Sequence, residues 1–137
     1  MNNKILKVGI AGYGTVGRKR RIIIENHPNL DLIGLCDKSF STYELKNSKV
    51  DSFNDYNELL KLPLDILFVC LTNDIQPKVT IKALNLGIHV FCEKPPGRNV
   101  KDIMNVIDVE KNNSKLKLMY GFNHRYHDSV QDAIKMV

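Results

Sequence analysis

The sequence predicts an α/β chain folded as a doubly wound parallel sheet, and two observations carry that prediction. Short apolar runs of β-like composition alternate along the chain with longer segments whose apolar residues recur at helical spacing. The most apolar run, Ile66-Leu67-Phe68-Val69-Cys70-Leu71, lies mid-chain and shows no polar alternation, the pattern of a central strand covered on both faces. The 137 residues fit one domain, 1–137, and a hydrophobic content of 43% is enough to build its core.

The elements follow in order. Residues 7–11 read as the first strand and 15–26 as the first helix. His27-Pro28-Asn29 ends that helix, because proline cannot continue it and restricts the residue before it. Residues 30–37 form the second strand. From 38 to 61 the pattern weakens to a short helix near Tyr43, a short strand at 50–53 and a helical turn after Asp55. It recovers in the strand 65–71, a helix over 76–86 closed by Gly87, and the strand 89–92. Val100, Ile103, Met104 and Ile107 then mark one helical face, and 116–120 a sixth strand. Val130, Ala133, Ile134 and Val137 share a face of a final helix.

Composition narrows the function classes. No apolar stretch approaches the roughly 20 residues of a spanning helix. The N-terminus enters the first strand without the apolar region of a signal peptide, so a cytoplasmic, membrane-free protein is expected. Cys36, Cys70 and Cys92 close apolar runs, and no two lie at metal-ligand spacing, so they are expected to be reduced, mostly buried thiols with no metal site. The net charge of +5 is densest at Arg18-Lys19-Arg20-Arg21. That run opens a helix and has no interleaved aromatic residues, so it reads as a solvated face rather than a nucleic-acid site.

Gly12-Tyr13-Gly14-Thr15-Val16-Gly17 is G-x-G-x-x-G, placed directly after the first strand and opening the first helix. Asp37 follows 20 residues after Gly17, at the end of the second strand. In that context the motif predicts a dinucleotide-binding Rossmann domain. Gly12 permits the tight turn, Gly14 lets backbone approach a pyrophosphate, and Gly17 lets the helix pack on the sheet. The helix N-terminus offers N–H groups and partial positive charge to the phosphates. Asp37 is placed to accept from both hydroxyls of the adenosine ribose. A 2′-phosphate would meet its charge, which favours NAD, while Lys38 beside it leaves NADP possible.

Glu93-Lys94-Pro95 follows the fifth strand and belongs at the carboxyl edge of the sheet, where open α/β sheets bind ligands. Here the chain resembles the glucose-fructose oxidoreductase, inositol dehydrogenase and rhizopine-catabolism (Gfo/Idh/MocA) oxidoreductases. The resemblance runs through the glycine turn, Leu71-Thr72-Asn73, the run from Ala83 to Val90, Glu93-Lys94-Pro95 and Gly121-Phe122-Asn123-His124-Arg125-Tyr126. It implies an NAD(P)-dependent oxidoreductase that acts on a carbon of a sugar, cyclitol or similar polyol. It implies Lys94 as the catalytic residue near nicotinamide and substrate, donating a hydrogen bond to the reacting oxygen and assisting its proton transfer, work that suits a partly buried lysine. Glu93 then orients the lysine or contacts the cofactor, and a cis Lys94-Pro95 bond is compatible with the motif.

The cofactor-contacting set implied is residues 12–17, Asp37, Lys38, Leu71, Thr72, Asn73, Gln76, Glu93, Lys94 and Arg125. Gln76 stands where members of the family commonly carry a histidine. Arg125 would serve as an anion or hydroxyl ligand, and for His124 and His127 a solvated loop is as well supported as a role. His89 and His27 read as structural. The resemblance also implies a second α/β substrate domain, absent from these residues and following 137. Without it, apolar area around Leu118, Tyr120, Phe122 and the final helix would be open, so association with that domain or with another copy is expected. The competing reading is a stand-alone NAD-sensing or regulatory module, which leaves Glu93-Lys94-Pro95 without a purpose.

Overall fold

The computed structural model describes residues 4–41 and 50–136. The chain runs β1 (Leu6–Ala11), α1 (Thr15–Glu25), β2 (Leu30–Cys36), β3 (Asp51–Phe53), α2 (Tyr56–Leu59), β4 (Ile66–Val69), α3 (Gln76–Asn85), β5 (His89–Cys92), α4 (Val100–Asn112) and β6 (Leu118–Tyr120). A 3₁₀ turn (Asn123–Tyr126), which the sequence pattern did not show, leads into α5 (Asp128–Lys135). The helix expected near Tyr43 lies outside the described residues.

Local chemistry sets the boundaries. The Asp55 side chain caps α2 by accepting from the Asn57 amide at 2.9 Å, and Asn99 caps α4 by accepting from the Asp102 amide at 3.0 Å. Pro77 lies in the first turn of α3, where its missing N–H is harmless, and Gly87 beyond the helix takes φ +81°. At the turn after α1, His27 Nδ1 accepts from the Asn29 amide, and His89 Nδ1 accepts from the Lys117 amide at 2.9 Å. Both histidines are structural.

All six strands are parallel, in the order β3-β2-β1-β4-β5-β6. This is the doubly wound arrangement, with strand order reversing between β1 and β4. Leu67 and Val69 of β4 are fully buried on one face with Leu59, Val79, Leu84 and Val90, under α2, α3 and α4. Ile66 and Phe68 pack on the other face against Val8, Ile10, Ile24 and Leu35, beneath α1. Gly9 and Gly34 are paired in register, and the space they leave accepts Leu59, Leu62 and Leu64.

Several strands are shorter than their apolar runs. The run through Leu71 is strand only to Val69, although the Cys70 amide still donates to the Ala11 carbonyl at 2.7 Å before the chain turns away. Leu118 and Tyr120 pack against the core under α2–α4, contrary to the expectation that they lie open. Among the described residues, the large apolar ones exposed at this end are Met119, Phe122, Tyr126, Ile134 and Met136. Helix α5 packs against the 3₁₀ turn and buries none of its described residues. No described helix is long and apolar enough to cross a membrane.

The three thiols are free, Cys36 and Cys92 buried and Cys70 half-buried, and burial pushes each of them up to about 12. At pH 8 the thiolate fraction is then on the order of 10⁻⁴. Ellman's reagent should react slowly with native protein and rapidly with all three thiols after denaturation. Fast labelling of native protein would contradict this burial.

Candidate dinucleotide site

Where strand order reverses, the segments leaving β1 and β4 separate and open a cleft of about 540 Å³. That volume lies within the range of small-molecule sites. Gly12, Gly14, Asp37 and Lys38 line it, as do Leu71 and Thr72 from the segment after β4. Asn54, Asp55, Tyr56, Asp74 and Ile75 also line it and had not been picked out from sequence. Asp55 carried a readable signal, an acidic cap before a helical turn, but the weak patterning of residues 38–61 gave it no place in the site.

The three motif glycines do different work. Gly12 has φ +93°, and a Cβ there would lie 2.4 Å from the Cys70 carbonyl oxygen. A Cβ on Gly17 would lie 2.0 Å from the Gly12 carbonyl oxygen. The fold itself demands both glycines. Gly14 has ordinary extended backbone, φ −71°, and a Cβ there would meet no heavy atom within 4 Å. What a side chain at Gly14 would occupy is open space at the N-terminus of α1, where no side chain caps the helix and no acidic residue occupies the first turn. The first amides and the positive end of the helix dipole thus face a vacancy suited to a pyrophosphate. Thr15 and Val16 are exposed beside it.

Asp37 fastens this turn to β2. Its Oδ2 accepts from the Tyr13 amide at 2.7 Å, and its Oδ1 accepts from the Ser39 amide and hydroxyl at 2.9 and 2.7 Å. Burial, the largest single influence, raises the carboxyl, but the hydrogen bonds from Ser39 and Tyr13 and the charge of Lys38 together hold it below the usual range. A carboxylate offers about four acceptor positions, so three filled ones leave room for one more donor. Acceptance from both ribose hydroxyls, as expected from sequence, requires the Ser39 hydroxyl to turn away.

The basic run is a solvated face only in part: Arg18 and Lys19 are exposed, whereas Arg20 and Arg21 are half-buried. Arg18 Nε donates to the Tyr13 carbonyl at 3.3 Å, and Arg21 pairs with Glu25 at 2.7 Å while donating to the Tyr13 hydroxyl at 2.9 Å. Arg20 reaches across to Glu93, with Nε 2.7 Å from Oε1 and Nη2 bonded to the same oxygen. These partners lie outside the helix's local pattern, except for Glu25.

The other predicted site residues divide. Gln76 is 2% exposed: its Nε2 donates to the Leu71 carbonyl at 2.6 Å, and its Oε1 accepts from Cys92 Sγ at 2.9 Å. With both ends of the amide so occupied, Gln76 shapes the segment after β4 from beneath and does not face the cleft. Glu93 is likewise turned inward, toward Arg20. Asn73 is half-buried and does not line the cleft. Lys94 is exposed, where partial burial was expected, and its bond to Pro95 is cis. Arg125 is exposed outside the cleft, 5.8 Å from the Tyr126 ring centroid, and the His124 and His127 rings are 4.9 Å apart in the same turn.

Residues 6–122 match the family model of the oxidoreductase family with an NAD-binding Rossmann fold. The chain is 30% identical to the D-glucoside 3-dehydrogenase of Escherichia coli over 100% of its own length and 40% of that protein. It is 28% identical to the inositol 2-dehydrogenase of Salmonella typhimurium over 88% of its length and 38% of that protein. The structure of scyllo-inositol dehydrogenase from Lactobacillus casei with bound NAD(H) and scyllo-inositol superposes with a TM-score of 0.86 at 26% identity, covering 97% of this chain and 41% of that one. The chain thus spans about two-fifths of the length of these dehydrogenases. With the family model matched from β1 through β6 and the switch-point cleft in place, the chain belongs to the Gfo/Idh/MocA oxidoreductase family and carries its NAD-binding Rossmann fold.

Proposed function

We propose that the chain is the cofactor-binding part of an NAD-dependent dehydrogenase that transfers a hydride to or from a CH–OH carbon of a cyclitol, sugar or similar polyol. The observation that carries the reading is the open space at Gly14, bounded by the free amides of α1 and continuous with a cleft that Asp37 lines. The relatives named above act on substrates of this class.

In this reading the α1 amides hold the pyrophosphate, and the remaining acceptor position of Asp37 takes a ribose hydroxyl. A 2′-phosphate would instead meet that carboxylate, at roughly 1 to 4 kcal/mol for unit charges about 4 Å apart. NAD is therefore the preferred cofactor, with Lys38 moderating the preference. The nicotinamide, when bound, supplies the site that accepts or returns the hydride. Lys94, at the carboxyl edge of the sheet, holds the substrate oxygen by a hydrogen bond and takes up or returns its proton. Thr72 and Leu71 line the cleft, and Asn73 and Arg125 are proposed as further cofactor contacts from outside it.

Lys94 and the exposed Phe122, Ile134 and Met136 are suited to being covered by a second domain, by another copy of the chain, or by both. The extra length of the relatives supports a substrate domain in the whole protein. A reducing cytoplasmic setting suits the three free thiols.

The glycines give the sharpest test. Gly14→Ala should leave the melting temperature of the chain almost unchanged, since an alanine there meets nothing and its backbone is ordinary. It should weaken NADH, followed by fluorescence titration, about tenfold or more, equivalent to roughly 1.4 kcal/mol. Gly17→Ala should lower both stability and affinity. Unaltered NADH binding by Gly14→Ala would remove the pyrophosphate from α1.

Asp37→Ala should weaken NAD more than NADP in the same titration. An unchanged preference would show that the carboxylate serves only to hold the glycine turn. In the full-length enzyme, Lys94→Ala should lower turnover with a polyol by about 10² to 10⁴, the range of a positioned acid or base, with cofactor affinity little changed. Full turnover in that variant would end the case for Lys94.

A further inference from the structure

We propose that Arg20 is a positioning residue that fixes Glu93, and through it the adjoining Lys94, where the nicotinamide of a bound cofactor would lie. The proposal rests on the dinucleotide reading above. Arg20 lies on α1, the helix whose first amides face the pyrophosphate space, and Glu93 lies 73 residues further along the chain. Their side chains are 18% and 9% exposed. Both Nε and Nη2 of Arg20 donate to Glu93 Oε1. The guanidinium also lies 4.8 Å from the centroid of the Phe91 ring, which is stacked on Phe68 at 5.0 Å. The Arg20 guanidinium is therefore held by the Phe91 ring as well as by its partner.

The other oxygen of Glu93 lies against Gly121. A Cβ on Gly121 would lie 2.8 Å from Oε2 and 3.3 Å from the Phe91 ring, so this glycine makes the room that the carboxylate occupies. Backbone bonds complete the frame: the Glu93 amide donates to the Val69 carbonyl at 2.9 Å and the Gly121 amide to the Cys92 carbonyl at 2.8 Å. A charge pair serving only to stabilise the fold has no reason to join the phosphate-facing helix to the residue next to the exposed lysine. This one ties the two ends of the cofactor site into one rigid unit. Freed of Arg20, the buried carboxylate must take up a proton or shift toward another partner, and either change loosens the hold on the adjoining Lys94. Functional groups need placement to within about 0.5 Å.

The test compares NADH with ADP-ribose, which lacks the nicotinamide, on the chain and its variants. Arg20→Met should weaken NADH about fivefold or more while ADP-ribose stays within about twofold of wild type. Arg20→Lys, which keeps the charge, should recover part of the loss. Gly121→Ala pushes on the same carboxylate with both charges present and should reproduce the selective loss, so it decides the matter alone if Arg20→Met does not fold. Equal weakening of both ligands, or of neither, would overturn the role of Arg20. Failure of wild-type protein to bind either ligand would instead overturn the dinucleotide reading, and this inference with it.

Discussion

The close approach of α1 to the end of β1 governs the rest of the molecule. A helix can begin within four residues of a buried strand only if its first turn passes almost against the preceding carbonyl, and Gly17 against the Gly12 oxygen is that contact. From it follow the direction of α1 across the sheet, the exposure of its first amides at the switch point, and the reach of Tyr13's amide to Asp37. Arg20 comes to lie beside Phe91 for the same reason. One backbone contact therefore places the glycine turn against Asp37 at the cleft and Arg20 beside Phe91.

The charges in this region work as fasteners before they work as ligands. Asp37 spends three acceptor positions on the turn and on Ser39, and Glu93 spends its carboxylate on Arg20. Asp37 lines the cleft and Glu93 does not, yet each holds the chain in shape. A carboxylate committed in this way is less able to reorganise, and preorganised polar groups are what make a binding site selective without a large ordering penalty. The basic residues of α1 divide in the same manner, with Arg18, Arg20 and Arg21 each tied to a neighbour and Lys19 left to solvent.

The glycine turn and Asp37 were legible in the sequence because their roles depend on local backbone and on a fixed distance along one βαβ unit. The doubly wound class was legible too, since strands and helices alternating at these lengths point to a parallel sheet covered on both faces. The Arg20–Glu93 pair was not, because a partner 73 residues away leaves no periodic trace. Gln76 looked like a substituted ligand when its position was compared with a family pattern. Its surroundings, the Leu71 carbonyl and the Cys92 thiol, come from different elements and reverse that reading. Strand ends were overestimated at Leu71 because apolar character continues past the last ladder residue into the wall of the cleft.

On the proposed function, the exposure of Lys94 separates cofactor binding from chemistry. Everything proposed to hold the adenosine and pyrophosphate half is built and braced within the described residues. Lys94 faces solvent, and in water a unit charge about 4 Å from a developing alkoxide is worth only about 1 kcal/mol, against about 4 kcal/mol in the screened interior near a protein surface. Positioning alone cannot recover that difference. A surface closing over Lys94 would supply it twice, by excluding water and by holding the polyol carbon against the cofactor, where orientation contributes roughly 7 to 11 kcal/mol to the barrier. The rigid brace behind the lysine and the open side in front of it are then complementary. On the proposed reading the brace would set where the ammonium stands, and a cover would determine how strongly it acts.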